Sequence, residues 1–128
     1  MNVRSMRMLA LLFTILPCVT LSGEVTLPKV LSNHMVVERD LPVHVWGMAT
    51  PGEGVTVTFR GETRSTKAGQ LGRWSVYLSP GAAGGPFAMT VKGTVAGDAA
   101  AQTIVLDDVL VGDVWVASGQ SNMEFMMK

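Results

Sequence analysis

Apolar side chains recur at every second position over much of residues 24–108. The alternation is clearest in the segments 43–46, 55–60, 74–78 and 87–92. A period of two places successive side chains on opposite faces of a strand, so that one face can be buried. Turns rich in glycine and proline separate these segments. None of the segments has the apolar stripe of a helix. The pattern predicts an antiparallel β-sandwich over residues 24–108.

Residues 1–23 have the composition of a secretory signal peptide. Arg4 and Arg7 provide positive charge, and the apolar run of residues 9–16 follows them. This run is too short to span a bilayer, which requires roughly 20 apolar residues. We therefore expect a secreted or periplasmic protein that has no membrane association once the signal is removed.

Composition argues against several other functions. Ten basic and ten acidic side chains balance in the 128 residues without forming a basic patch, so nucleic acid is not an expected partner. The one cysteine, Cys18, would leave with the signal peptide, and the mature chain would then form no disulfide. His34 and His44 lack ligand-like spacing. We therefore expect no metal site.

The pattern changes after Asp107 and Asp108. Residues 109–111 and 114–117 are nearly continuous apolar runs, which are typical of a strand buried on both faces of a parallel sheet. This change predicts a domain boundary after residue 108. Residues 109–128 would then begin an α/β domain.

Ser121 lies where the apolar run has ended and a helix is expected to begin. A hydroxyl at a helix N-terminus is close to free backbone N–H groups, which can hold the oxyanion formed when serine attacks an ester. Residues 121–124 also fit a capping box, in which Glu124 reaches back to the start of the helix. The spacing alone allows both interpretations. Ser118 is better explained as a hydroxyl at the end of the strand.

Residues 109–123, with the sequence VLVGDVWVASGQSNM, resemble the first block of the sialate O-acetylesterase family. Residues 27–37 and 41–47 resemble the opening β-domain of that family. The family belongs to the SGNH-type hydrolases, whose catalytic domain is flavodoxin-like. The resemblance therefore implies a mainly β chain, in which the sandwich is followed by the first strand and helix start of a truncated hydrolase domain.

The same resemblance implies a reaction. Ser121 would be the nucleophile that hydrolyses an acetyl ester on a sugar hydroxyl, with sialic acid as the leading sugar. The reaction implies no cofactor. Gln120 and Asn122 flank it and are expected to contact the O-acetylated sugar. In the family, a histidine and an aspartate far downstream activate the serine. Neither has a counterpart in this chain, so we expect the 128 residues alone to be inactive.

Two alternatives stay open at this point. The substrate could be an acetylated polysaccharide such as xylan, or the β-domain could be a non-catalytic carbohydrate-binding module. Trp46, Trp74 and Trp115 could form a platform for sugar stacking, but the apolar surroundings of Trp74 and Trp115 favour core packing. His44 alternates with core valines and is expected to face solvent or another domain.

Overall fold

The computed structural model describes residues 24–94 and 101–119, which form seven strands. The strands are β1 (Val36–Glu38), β2 (Val43–Met48), β3 (Gly54–Phe59), β4 (Glu62–Lys67), β5 (Arg73–Leu78), β6 (Gly84–Thr94) and β7 (Thr103–Gly112). The described residues contain no helix, so the prediction of a mainly β structure is confirmed. Within the same residues, no helical segment long and apolar enough to cross a membrane is present.

Two sheets make up the fold. Five strands form one sheet in the order β1-β7-β6-β3-β4, and β2 pairs with β5 in a separate two-stranded sheet. The strand pairs are antiparallel except for β1 and β7, which run parallel with Val36 opposite Leu110. The larger sheet is therefore mixed, and the expectation of a wholly antiparallel structure is wrong at this edge. A parallel pair needs a long crossover, which the intervening strands provide.

The side chains that alternate in the sequence form the core. Strands β2, β3 and β5 each bury every second residue. Buried residues of both sheets belong to one cluster, and its wholly buried members are Val45, Val55, Val57, Phe59, Met89, Val91 and Val109. Burying one such side chain contributes roughly 1.5–3 kcal/mol. The two sheets thus share a core, while their classification as a sandwich stays a prediction.

A tight hairpin accounts for β4, a polar strand with no apolar alternation. Its loop is Arg60 and Gly61, which both have positive φ, 50° and 84°. Two positive φ values define a type I′ turn, and Gly61 occupies its second central position. The Arg60 guanidinium donates hydrogen bonds to the carbonyls of Pro80 and Ala82, at 2.7 and 2.6 Å. It also lies 4.2 Å from the ring centroid of Phe87, and these contacts together hold the turn against the loop between β5 and β6.

Strand β7 passes through the predicted boundary at residue 108 without a break. From Leu106 to Val109 it advances three residues while its partner β6 advances two, so the extra residue makes a β-bulge at Asp107 and Asp108. Asp108 has a φ of 56°. The bulge allows Leu106 and Val109 both to be buried, which interrupts the simple alternation. Residues 109–112 therefore continue the sheet of the β-domain, and the division into domains stays a prediction.

Residues 113–119 follow β7 and have no regular secondary structure. Trp115 and Val116 are 89% and 88% exposed. The predicted strand over residues 114–117 is therefore absent, because no neighbouring strand in the described chain is available to cover it. The predicted start of a helix lies outside the described residues.

Candidate functional site

The predicted nucleophile and its neighbours lie outside the part of the chain that the structure describes. Gln120, Ser121 and Asn122 all follow the last described residue, and their roles stay predictions. Ser118 is described and exposed, but it follows the end of β7 by several residues. It is therefore not the hydroxyl at a strand end that the sequence suggests.

Arg39 fixes the start of the segment that leads to these residues. Its backbone N–H donates a hydrogen bond to the Gly112 carbonyl at 2.9 Å, and its Nε donates to Asp113 Oδ1 at 2.6 Å. Both side chains of the ion pair are about half exposed, so the pair contributes at most about 1 kcal/mol. The two contacts together set the direction in which the chain leaves the sheet.

A second set of contacts holds the bulge of β7. His34 Nδ1 lies 2.7 Å from Asp108 Oδ2, and the His34 backbone N–H donates to the Asp107 carbonyl at 3.0 Å. The Asp107 N–H donates in turn to Asn33 Oδ1 at 3.0 Å. These contacts join the loop before β1 to both aspartates of the bulge. Asp107 and Asp108 are thus bulge residues within β7.

The pair of His34 and Asp108 has the composition of a base and its orienting carboxylate in a serine hydrolase. Both side chains are well exposed, at 76% and 47%. Each residue has a positive φ, 63° and 56°, which suits a structural contact at a bulge. Because 74 positions separate the two residues, the local sequence pattern could not predict their contact. The geometry supports a structural role for this pair at the bulge of β7.

A stack of aromatic rings stands on the exposed face of the two-stranded sheet. His44 stacks on Trp46 with a centroid separation of 4.7 Å, and on Tyr77 with a separation of 4.4 Å. His44 is directly opposite Tyr77 in the β2–β5 pairing, and Trp46 lies two residues further along β2 on the same face. The expectation that His44 is exposed is confirmed. The stack itself could not be predicted, because it depends on the pairing of two strands distant in sequence.

A cavity of about 830 Å³ adjoins this stack. His44 and Trp46 line it, together with the hydroxyl-bearing Ser75 and the cationic side chains of Lys67 and Arg73. None of its described lining residues carries a carboxylate. The volume lies within the range of roughly 300–1,000 Å³ that is typical of small-molecule sites. The cavity therefore combines aromatic, hydroxyl and positively charged groups around a space of suitable size.

The three tryptophans occupy different environments. Trp74 is 4% exposed and belongs to the core, as its apolar surroundings predict. Trp46 is 37% exposed and lines the cavity, whereas Trp115 is 89% exposed. Core packing is therefore wrong for Trp115 in the described structure.

One carboxyl group away from the cavity has a shifted pKa. A hydrogen bond from the Ser79 backbone N–H, and then one from Arg64, lower the pKa of Glu62 below its usual value. Glu62 is the first residue of β4, and Ser79 follows the end of β5. The carboxylate thus links the edge of the larger sheet to the smaller one. Residues 24–94 and 101–119 contain no group of three side chains suited to hold a metal ion.

Comparisons with known proteins identify relatives. The chain is 38% identical to sialate O-acetylesterase of Homo sapiens over 102 residues and 39% identical to that of Mus musculus over 101 residues. Both alignments cover 73% of this chain but only 19% and 18% of the relatives' length. No protein-family model matches.

A solved structure agrees with these relatives. A carbohydrate acetylesterase from Xanthomonas citri superposes with a TM-score of 0.69 and 42% sequence identity, over 80% of this chain and 22% of that chain. The resemblance inferred from the sequence is therefore confirmed: the chain is related to sialate O-acetylesterases, and it shares the fold of one part of a carbohydrate acetylesterase.

Proposed function

We propose that this chain forms part of an exported carbohydrate O-acetylesterase that removes acetyl groups from sugar hydroxyls by means of Ser121. The identity of 37–39% to sialate O-acetylesterases carries the proposal, and the fold of the Xanthomonas enzyme supports it. The names of the mammalian relatives make O-acetylated sialic acid the leading substrate. The chain spans about a fifth of their length, so the activity is proposed for the protein that contains it.

The proposed reaction has two steps. The Ser121 oxygen attacks the acetyl carbonyl carbon, the bond to the sugar oxygen breaks, and the sugar leaves with a proton while an acetyl-serine ester forms. Water then attacks this ester, releasing acetate and restoring the serine hydroxyl. Backbone N–H groups at the start of the predicted helix would hold the oxyanion in both steps. Gln120 and Asn122, on either side, would contact the sugar.

A general base must accept the serine proton, and such a group accelerates the reaction by roughly 10²–10⁴-fold. His34 contacts Asp108 at the bulge, and His44 is stacked between ring systems on the smaller sheet. Neither histidine is assigned as the base. We therefore propose that the base lies outside these 128 residues, and that the chain alone does not turn over an aryl acetate.

The test is substitution of the nucleophile in the complete protein. Ser121→Ala should lower acetate release from O-acetylated sialic acid by about 10⁴-fold or more, because the attacking group is lost. Ser118→Ala is the matched control and should retain activity close to that of the wild type. Near-normal turnover by Ser121→Ala would leave that residue only its capping role and would overturn the mechanism.

A second substrate class is favoured by one observation. The structural relative from Xanthomonas citri is described as a carbohydrate acetylesterase, without reference to sialic acid. An acetylated polysaccharide such as xylan is therefore the alternative substrate. The ratio of kcat/KM for O-acetylated sialic acid to that for acetylated xylan decides between them. A complete protein with no serine-dependent turnover of any acetyl ester would instead support a carbohydrate-binding module.

Export is proposed from the first 23 residues, with their two arginines and short apolar run. N-terminal sequencing of protein recovered from the periplasm or medium should begin close to Glu24. Recovery of the intact Met1 terminus in a membrane fraction would show an anchor rather than a cleaved signal.

A further inference from the structure

We propose that the cavity beside Trp46 binds a pyranose sugar that carries a carboxylate. The inference rests on the proposed function only in taking a sugar as the class of ligand. Binding is measured without turnover. A failure to bind would therefore leave the role of Ser121 untouched, and loss of that role would leave the cavity as it is.

The aromatic wall provides the first part of the argument. One side of the Trp46 indole is stacked on His44, yet Trp46 is still 37% exposed and lines the cavity. A pyranose ring has an apolar C–H face, which packs well on a large amphipathic ring. Because His44 is itself stacked on Tyr77, the indole is held in place before any ligand arrives. Little side-chain freedom would be lost on binding.

Hydroxyl groups line the same space. Ser75 is directly opposite Trp46 in the β2–β5 pairing, and Thr66 reaches the cavity from β4. Serine and threonine hydroxyls both donate and accept hydrogen bonds, which suits the hydroxyl edge of a sugar. The cavity thus has an apolar wall and polar groups together, the combination that orients a small polar ligand.

The positive charge on the cavity wall indicates that the sugar is acidic. Lys67 at the end of β4 and Arg73 at the start of β5 are exposed cations on the cavity wall. Neither forms an ion pair with a described residue, in contrast to Arg39 and Arg64, which do. With no carboxylate among the described lining residues, the cavity attracts an anion. The fork of the Arg73 guanidinium matches a carboxylate, which it can bind through two parallel hydrogen bonds.

Direct binding to the complete protein tests the proposal. The probes are N-acetylneuraminic acid and glucuronic acid, which share the pyranose ring and carboxylate, with N-acetylglucosamine and glucose as neutral controls. Calorimetric titration should give saturable binding of an acidic sugar with a dissociation constant in about the millimolar range. The neutral sugars should bind at least about fivefold more weakly, because a charge-assisted hydrogen bond is lost. Comparison of the dissociation constants of the two acids shows which acidic sugar fits the cavity better.

Substitutions locate the binding. Arg73→Met and Lys67→Met should each weaken binding of the acid by about fivefold and reduce its dependence on salt. Trp46→Ala should weaken binding of the acidic sugar about tenfold, because the aromatic wall is removed. Lys92→Met is the control, since Lys92 is an exposed cation on β6 outside the cavity lining. That variant should bind like the wild type.

Several results would overturn the proposal. One is the absence of saturable binding of either acid by protein whose circular dichroism shows the β-fold. Equal affinity for neutral and acidic sugars is another, as is unchanged affinity in both Arg73→Met and Trp46→Ala. Complete protection of Trp46 from a soluble fluorescence quencher would show that another part of the protein occupies the cavity. Retention of acid binding by Ser121→Ala, with loss of turnover, would support a sugar site that does not depend on the nucleophile.

Discussion

Two apolar runs near the end of the described chain look alike in sequence and differ in structure. Val109–Val111 lies within β7, and the side chain of Val109 is fully buried. Val114–Val116 follows only a few residues later, and its side chains are between 49% and 89% exposed. The first run has β6 and β1 as neighbours, whereas the second has no described strand to pair with. Backbone partners, more than hydrophobicity, decide which run becomes a strand.

The largest effect should come from placing the same charge in both runs. Val109→Asp leaves an unpaired carboxylate in the core and should lower the free energy of unfolding by about 3–5 kcal/mol, enough to unfold a marginal domain. Val116→Asp adds a solvated charge and should change it by no more than about 0.5 kcal/mol. Urea denaturation, monitored by circular dichroism, measures the free energy of unfolding of both variants. Similar losses in the two variants would show that residues 114–116 are buried in solution and would break the comparison.

A smaller effect is expected at the bulge that turns Val109 inward. Asp108 has a positive φ, which a β-branched residue adopts only with strain, so Asp108→Val should destabilise the protein by about 1–3 kcal/mol. Asp108→Asn removes the charge facing His34 but tolerates the same backbone conformation. Its cost should be below about 1 kcal/mol, the value of an exposed ion pair. Equal costs for the two variants would mean that the contact with His34, and not the backbone, stabilises the bulge.

The smallest effect concerns the junction between the two runs. Arg39 and Asp113 form an exposed ion pair, and a double-mutant cycle with Arg39→Ala and Asp113→Ala should give a coupling energy below about 1 kcal/mol. The coupling should shrink further as salt is raised. A coupling above about 2 kcal/mol would show that the segment after β7 is held far more firmly than its exposure indicates.

The core of the β-domain could be predicted from the sequence because its signal is local. Valines 43, 45, 55 and 57 alternate with polar residues, and each of them is buried in the structure. This alternation needs no knowledge of which strands pair. At Asp107 and Asp108 a bulge inserts one residue and interrupts the alternation, and this change of pattern is part of what predicts a domain boundary after residue 108.

The remaining features depend on pairings between distant segments. Strand β4 is polar throughout and is placed by its hydrogen bonds to β3. The stack of His44 on Tyr77 arises because β2 pairs with β5, which neither strand's own sequence specifies. For the candidate site, the sequence supplies Ser121 through a motif, and the described structure ends before that residue. The cavity beside Trp46 could be found only in three dimensions, since its lining comes from the segment before β1 and from several strands.

The parallel pairing of β1 with β7 determines when, in the course of folding, the β-domain can be completed. Val36 pairs with Leu110, and Glu38 pairs with Gly112, so β1 must wait for nearly the whole domain to be made. Bringing such distant segments together is the slow, entropically costly part of folding. The antiparallel strands between them can pair first. Closure of the sheet at its β1 edge fixes the end of β7, so completion of the domain and positioning of the segment that leads to Ser121 belong to the same late step of folding.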